Sequence, residues 1–132
     1  MTPMFINNFA SDISIIAREK LTGLGEHWGV LLPNGLVAHN TDDKGPHYVT
    51  LQEFQAGKSI KVIRKVPPAE HQSTFWRIQQ EINNPQGYHL SANNCEIFAN
   101  RVTGNIPESP QVKGWFFFLA LIGFAALAIK AA

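Results

Sequence analysis

Three residues have the chemistry and spacing to form a shared site: His27 in EHWGV, His39 twelve residues later in VAHN, and Cys95, the only cysteine, in SANNCEIFAN. A thiol acts as nucleophile or metal ligand in its thiolate form, and an imidazole can take the proton it gives up. Asn93 followed three residues later by Glu96 resembles a capping box, which makes Asn93 the N-cap and puts Cys95 in the first helical turn. There the unpaired N–H groups and the helix dipole favour negative charge, and a nearby imidazolium would lower the thiol pKa further. Helical spacing puts Cys95, Phe98, Ala99 and Val102 on one side, so the sulfur is expected to face inward. Plainer readings compete. Free cysteine commonly packs as a small hydrophobe, and strand histidines are often hydrogen-bonded core or surface groups. Cys95, His27 and His39 are also acceptable metal ligands, though no paired-ligand spacing such as CxxC accompanies them.

The elements that must position these residues are legible in part. His27–Leu32 and Leu36–Asn40 read as strands around LPNG, and SIKVIRKV (Ser59–Val66) alternates as a third strand. Asn34-Gly35 alone suggests a two-residue hairpin, but Pro33 has no N–H to donate across the ladder. A three-residue loop therefore fits better, with Gly35 in the left-handed conformation. It sets Leu32 opposite Leu36 and Gly29 opposite His39, with His27 and His39 on one sheet face. Helices are expected over about Pro68–Ile82, with Phe75, Ile78 and Ile82 on its inner side, and over about Asn94–Val102. Strands followed by helices predict an α+β domain with a small antiparallel sheet packed on helices.

The chain has 132 residues, 45% hydrophobic and 16% charged, enough for one core and too few for two ordinary domains. Eleven basic residues against ten acidic ones, with no like-charge block, leave no footprint for nucleic acid. A single cysteine excludes an internal disulfide, and the N-terminus lacks the pattern of a secretory signal, so a reducing, cytoplasmic setting is expected for the domain. Composition divides the chain into a domain over 1–106, a linker over 107–113 and a hydrophobic helix over 114–130. The sixteen residues GWFFFLALIGFAALAI (Gly114–Ile129) carry no charge. As a helix they rise about 24 Å, against a hydrocarbon core of roughly 30 Å, and Lys113 and Lys130 could snorkel at either end. A single-pass C-terminal membrane anchor is the expectation; the alternative is a helix buried in the domain or in a homo-oligomer interface. His47, His71 and His89 read as exposed loop or helix-start residues, and Trp28 and Tyr88 as packing groups, with Tyr88 close enough to Cys95 in sequence to line a pocket.

Taken together, His27-Trp28-Gly29-Val30, His39 and Asn94-Cys95-Glu96 with Phe98 resemble the lecithin:retinol acyltransferase family and its HRAS-like suppressor phospholipase/acyltransferase relatives, within the NlpC-type superfamily. A hydrophobic C-terminal segment also resembles that family, and the resemblance runs from about residue 12 to the end. Ile97 departs from the NCEHF form of the motif, and the loop Asp42–His47 has no matching counterpart. The resemblance implies a permuted papain-like domain in which Cys95 is the nucleophile, His27 its base and His39 the orienting third residue. Trp28, Tyr88 and Asn94 are candidate substrate-binding residues, no metal or cofactor is expected, and the hydrophobic tail makes a membrane lipid the expected partner. The activity implied is thiol acyl transfer or phospholipase chemistry. An NlpC-type peptidase or amidase, and a non-enzymatic membrane effector that oligomerises through its tail, are the alternatives.

Overall fold

A computed structural model of the chain describes residues 12–87 and 94–104. The linker, the hydrophobic segment over 114–130, the domain boundary at 106, Tyr88 and His89 lie outside the described residues. Within them the fold is α+β. Strands β1 (Ile13–Glu19), β2 (Glu26–Leu31), β3 (Leu36–Thr41), β4 (Gly45–Thr50) and β5 (Lys61–Val66) form one antiparallel sheet in the order β4-β3-β2-β1-β5. Helix α1 (Leu51–Gln55) joins β4 towards β5; a 3-10 turn (Pro68–Glu70), helix α2 (His71–Asn83) and helix α3 (Cys95–Val102) follow. Among the described residues no helix is long and apolar enough to cross a membrane.

Both faces of the sheet are covered, which explains the sequence of β1. Ile13, Ile15 and Ala17 join Trp28, Val30, Ile78, Phe98 and Val102 in a core beneath α2 and α3. Ile16 points the other way, into a second core with Leu31, Val37 and Phe54 of α1. A strand buried on both sides reads as a continuous apolar run, so ISIIA offers no alternation to find. Strand β4 was also not expected. Its Pro46 is tolerated because β4 is an edge of the sheet. The expected third strand is shorter than Ser59–Val66 and pairs with β1 on the opposite edge.

The β2–β3 connection follows from its proline. Leu32 N–H donates to the Leu36 carbonyl at 2.9 Å, Gly35 N–H to the Leu32 carbonyl at 3.0 Å, and Gly35 has φ +84°, the three-residue loop expected. The Asn34 side chain accepts from Leu36 N–H at 3.0 Å. Of the residues expected on the inner side of helix α2, Ile78 is buried and Ile82 packs against the core, but Phe75 is 40% exposed, and Thr74 and Glu81 are buried with Ile78. The first turn of the expected helix is the 3-10 segment, and its inner stripe admits Glu81 because Arg101 of α3 pairs with that carboxylate.

Gly29 is where the second core comes closest to the sheet. A Cβ there would lie 2.6 Å from Val37 Cγ1 and 2.7 Å from Phe54 Cε2. Gly29→Ala is therefore expected to destabilise the domain by roughly 1–3 kcal/mol, the usual cost of overpacking, measured by urea unfolding; an unchanged midpoint would mean that Phe54 does not pack on β2.

Candidate active site

The helix bearing the cysteine is capped one residue later than its sequence suggests. Asn94, not Asn93, is the N-cap: its side-chain oxygen accepts from Glu96 N–H at 3.0 Å and from Ile97 N–H at 2.9 Å. Cys95 is thus the first helical residue. Phe98, Ala99 and Val102 join it in the core beneath the sheet, as the spacing predicts, and Cys95 is 3% exposed. Asn94 is itself buried and acts here as the cap that fixes the helix start.

The histidines meet on the sheet. His27 Nε2 lies 2.9 Å from His39 Nδ1, so the side chains that the Pro33 loop was expected to align do share a face. Both rings also pack on Phe54, at centroid distances of 5.4 Å and 5.7 Å. A third imidazole joins them: His47 Nε2 lies 3.0 Å from His39 Nε2, and His47 Nδ1 donates to the Gly45 carbonyl at 2.8 Å. His47 is therefore no free loop residue. It sits on β4 directly across from His39. The signal that would have revealed it is the short TDDKG loop, which returns the chain beside β3 with Thr41 opposite Gly45. His71 instead bonds to the Val66 carbonyl at 3.0 Å.

Cys95 lies on the other side of β2 from this group. By strand alternation His27, Gly29 and Leu31 face the Phe54 side, whereas Trp28 and Val30 face α3 and share their core with Cys95. The β2–β3 ladder pairs only Val30 with Ala38 and Leu31 with Val37. The next N–H of β2 aimed towards β3 belongs to Trp28, and it interacts with the Cys95 sulfur. The thiol thus sits where the two strands cease to pair, against the backbone of the residue following His27. Among the described residues no hydrogen bond joins the sulfur to an imidazole.

Electrostatics make the resting site neutral. Burial pushes the Cys95 thiol up from its ordinary value, against the opposing pull of Trp28 N–H, and Glu96 adds to the upward shift. The lowering expected from a helix start is overridden. Burial also holds His27 down to about 3 and His39 down to about 4, reinforced for His27 by His39 and for His39 by His47. A cleft of about 340 Å³ opens at His27, lined also by Arg18, Lys20, Leu21, Thr22 and Asn40 to Asp42. Arg18 bonds to the Phe54 carbonyl, and its guanidinium lies 5.3 Å from that ring's centroid. Among the described residues no group of three or more His, Cys, Asp or Glu side chains is arranged to hold a metal ion. The chain matches no family model, no curated protein and no solved structure.

Two measurements follow from the neutral site. His27 and His39 have folded pKa values below the unfolded value of about 6.5. Their contribution to stability is present above that pH and is lost as pH falls towards 3–4. The slope is at most about 1.4 kcal/mol per pH unit for each histidine. Urea unfolding between pH 7 and 5 should show this loss, flattened in His27→Gln; an identical slope in the variant would show that His27 protonates freely in the fold. Secondly, the rate of Cys95 alkylation by iodoacetamide should keep rising above pH 8. A plateau between pH 5 and 7 would indicate a preformed thiolate–imidazolium pair instead.

Proposed function

We propose that this chain is a thiol acyltransferase or acyl hydrolase of the lecithin:retinol acyltransferase type, acting through a Cys95 thioester on a lipid ester. The observation that carries the reading is the convergence at the open end of the β2–β3 ladder. Cys95, at a helix start, is held against the N–H of Trp28, the residue that follows His27, and the Nε2 of His27 is engaged by His39. That leaves Nδ1 of His27, without a hydrogen-bond partner among the described residues, on a side chain that lines the cleft. A permuted papain-like arrangement of nucleophile, base and orienting residue fits this placement, as does the motif resemblance.

In the proposed reaction the substrate ester enters the cleft and His27 Nδ1 takes the Cys95 proton as the sulfur attacks the carbonyl carbon. The C–S bond forms, the ester C–O bond breaks, and His27 returns the proton to the leaving alkoxide. Water then releases a fatty acid, or an amine or alcohol accepts the acyl group, with His27 again as base. Because thiol and imidazole are both neutral at rest, proton transfer accompanies attack. The N–H of Cys95, which the Asn94 cap does not engage, is a candidate oxyanion donor. Trp28 Nε1, buried without a partner among the described residues, is a second donor available to substrate. Arg18 and Lys20 at the cleft suit the phosphate of a phospholipid. The hydrophobic segment over 114–130 would hold the domain at a bilayer, where such a substrate lies.

The missing sulfur–imidazole hydrogen bond favours one competing reading, a non-enzymatic membrane effector that retains the site only as a binding pocket. Incubation with a fluorescent acyl-ester phospholipid analogue, followed by intact mass, separates the two. An acyl adduct on wild type that is absent in Cys95→Ser, and reduced at least 100-fold in rate in His27→Ala, as expected for loss of a general base on the order of 10²–10⁴, supports the enzyme. No adduct, or one that survives Cys95→Ser, overturns it.

A further inference from the structure

The hydrogen bonds of the three imidazoles permit one arrangement of protons when all three are neutral. A backbone carbonyl can only accept, so His47 Nδ1, 2.8 Å from the Gly45 oxygen, carries a proton. The Nε2 of neutral His47 is then a lone pair, and the nitrogen 3.0 Å away, His39 Nε2, must carry the proton between them. His39 Nδ1 becomes the acceptor, and His27 Nε2, 2.9 Å from it, the donor. The order ends at His27 Nδ1, left as a bare lone pair. No carboxylate is hydrogen-bonded to any of the three rings among the described residues, so the direction of the chain is set from the Gly45 carbonyl alone.

We infer that His47 is a positioning residue: anchored on the Gly45 carbonyl, it fixes through His39 the tautomer of His27, leaving Nδ1 as the lone pair and Nε2 as the donor. Its use as a base towards Cys95 rests on the proposed function; the tautomer order does not. The arrangement has a chemical consequence. A proton accepted at His27 Nδ1 would leave every hydrogen bond in place, so an imidazolium formed there needs no ring to turn. Fixing the proton order from a neutral carbonyl also differs from fixing it with a carboxylate, which would favour the imidazolium permanently. The geometry that makes this possible is the β3–β4 register, with His39 directly opposite His47 and ring centroids 4.4 Å apart.

Long-range ¹H–¹⁵N correlation spectra of the histidine rings in the full ¹⁵N-labelled chain at pH 7 test the assignment without reference to activity. The expected pattern is a protonated Nε2 on His27 and His39 and a protonated Nδ1 on His47. A protonated Nδ1 on His27, or a protonated Nε2 on His47, overturns it. In His47→Phe the acceptor for His39 is lost, and the spectra of His39 and His27 should move to mixed tautomers. In His47→Lys a donor faces His39 Nε2, and the order should reverse, placing the proton of His27 on Nδ1. Unchanged His27 and His39 tautomers in both folded variants would overturn the role of His47. If either variant fails to fold, the wild-type spectrum still decides. Where the acyl-ester analogue labels Cys95, His47→Phe should slow labelling on the order of tenfold, less than loss of the base itself, and His47→Lys more than His47→Phe. Absence of labelling in wild type, with the expected tautomers, would refute the enzyme reading and leave the proton order standing.

Discussion

The register of the β2–β3 hairpin is the constraint on which the site depends. A side chain in a strand changes face with every residue, so a slip of one position would turn His27 away from His39. Pro33 cannot supply the N–H that a two-residue hairpin needs, and Gly35 accepts the left-handed backbone that closes the three-residue loop. The result is an Nε2–Nδ1 contact of 2.9 Å between residues twelve apart in sequence. Phe54 then seats both rings from α1, and Gly29 lets Phe54 approach.

A second feature of the same hairpin is its contact with the thiol. The ladder stops after two pairs, and the N–H of Trp28 meets Cys95 from α3. A fully zipped hairpin would have spent that N–H on β3 and closed the sheet between the helix and the histidines.

Burial sets the chemistry more strongly than local helix electrostatics. A helix start capped by asparagine lowers a thiol pKa when it is solvated, but Cys95 is enclosed by Trp28, Phe98 and β3, and desolvation wins. The same penalty keeps His27 and His39 neutral. A chain of imidazoles anchored on a carbonyl suits that environment, because it satisfies every ring nitrogen of the three except His27 Nδ1 within the group.

What local covalent geometry controls was legible in the order of residues alone. Pro33 and Gly35 dictated the loop and hence the common face of His27 and His39, and the spacing of Cys95, Phe98, Ala99 and Val102 dictated which side of α3 joins the sheet core. That order also indicated an α+β chain with an antiparallel sheet. The remaining features depend on how distant segments pack. β1 was hidden because burial on two faces erases alternation, and β4 because its proline is acceptable only at an edge that no local pattern announces. His47 belongs to the site only through a cross-strand pairing, Asn94 rather than Asn93 caps the helix, and the thiol is raised rather than lowered. Those outcomes depend on which groups are excluded from water by distant segments, and desolvation is a property of the assembled core.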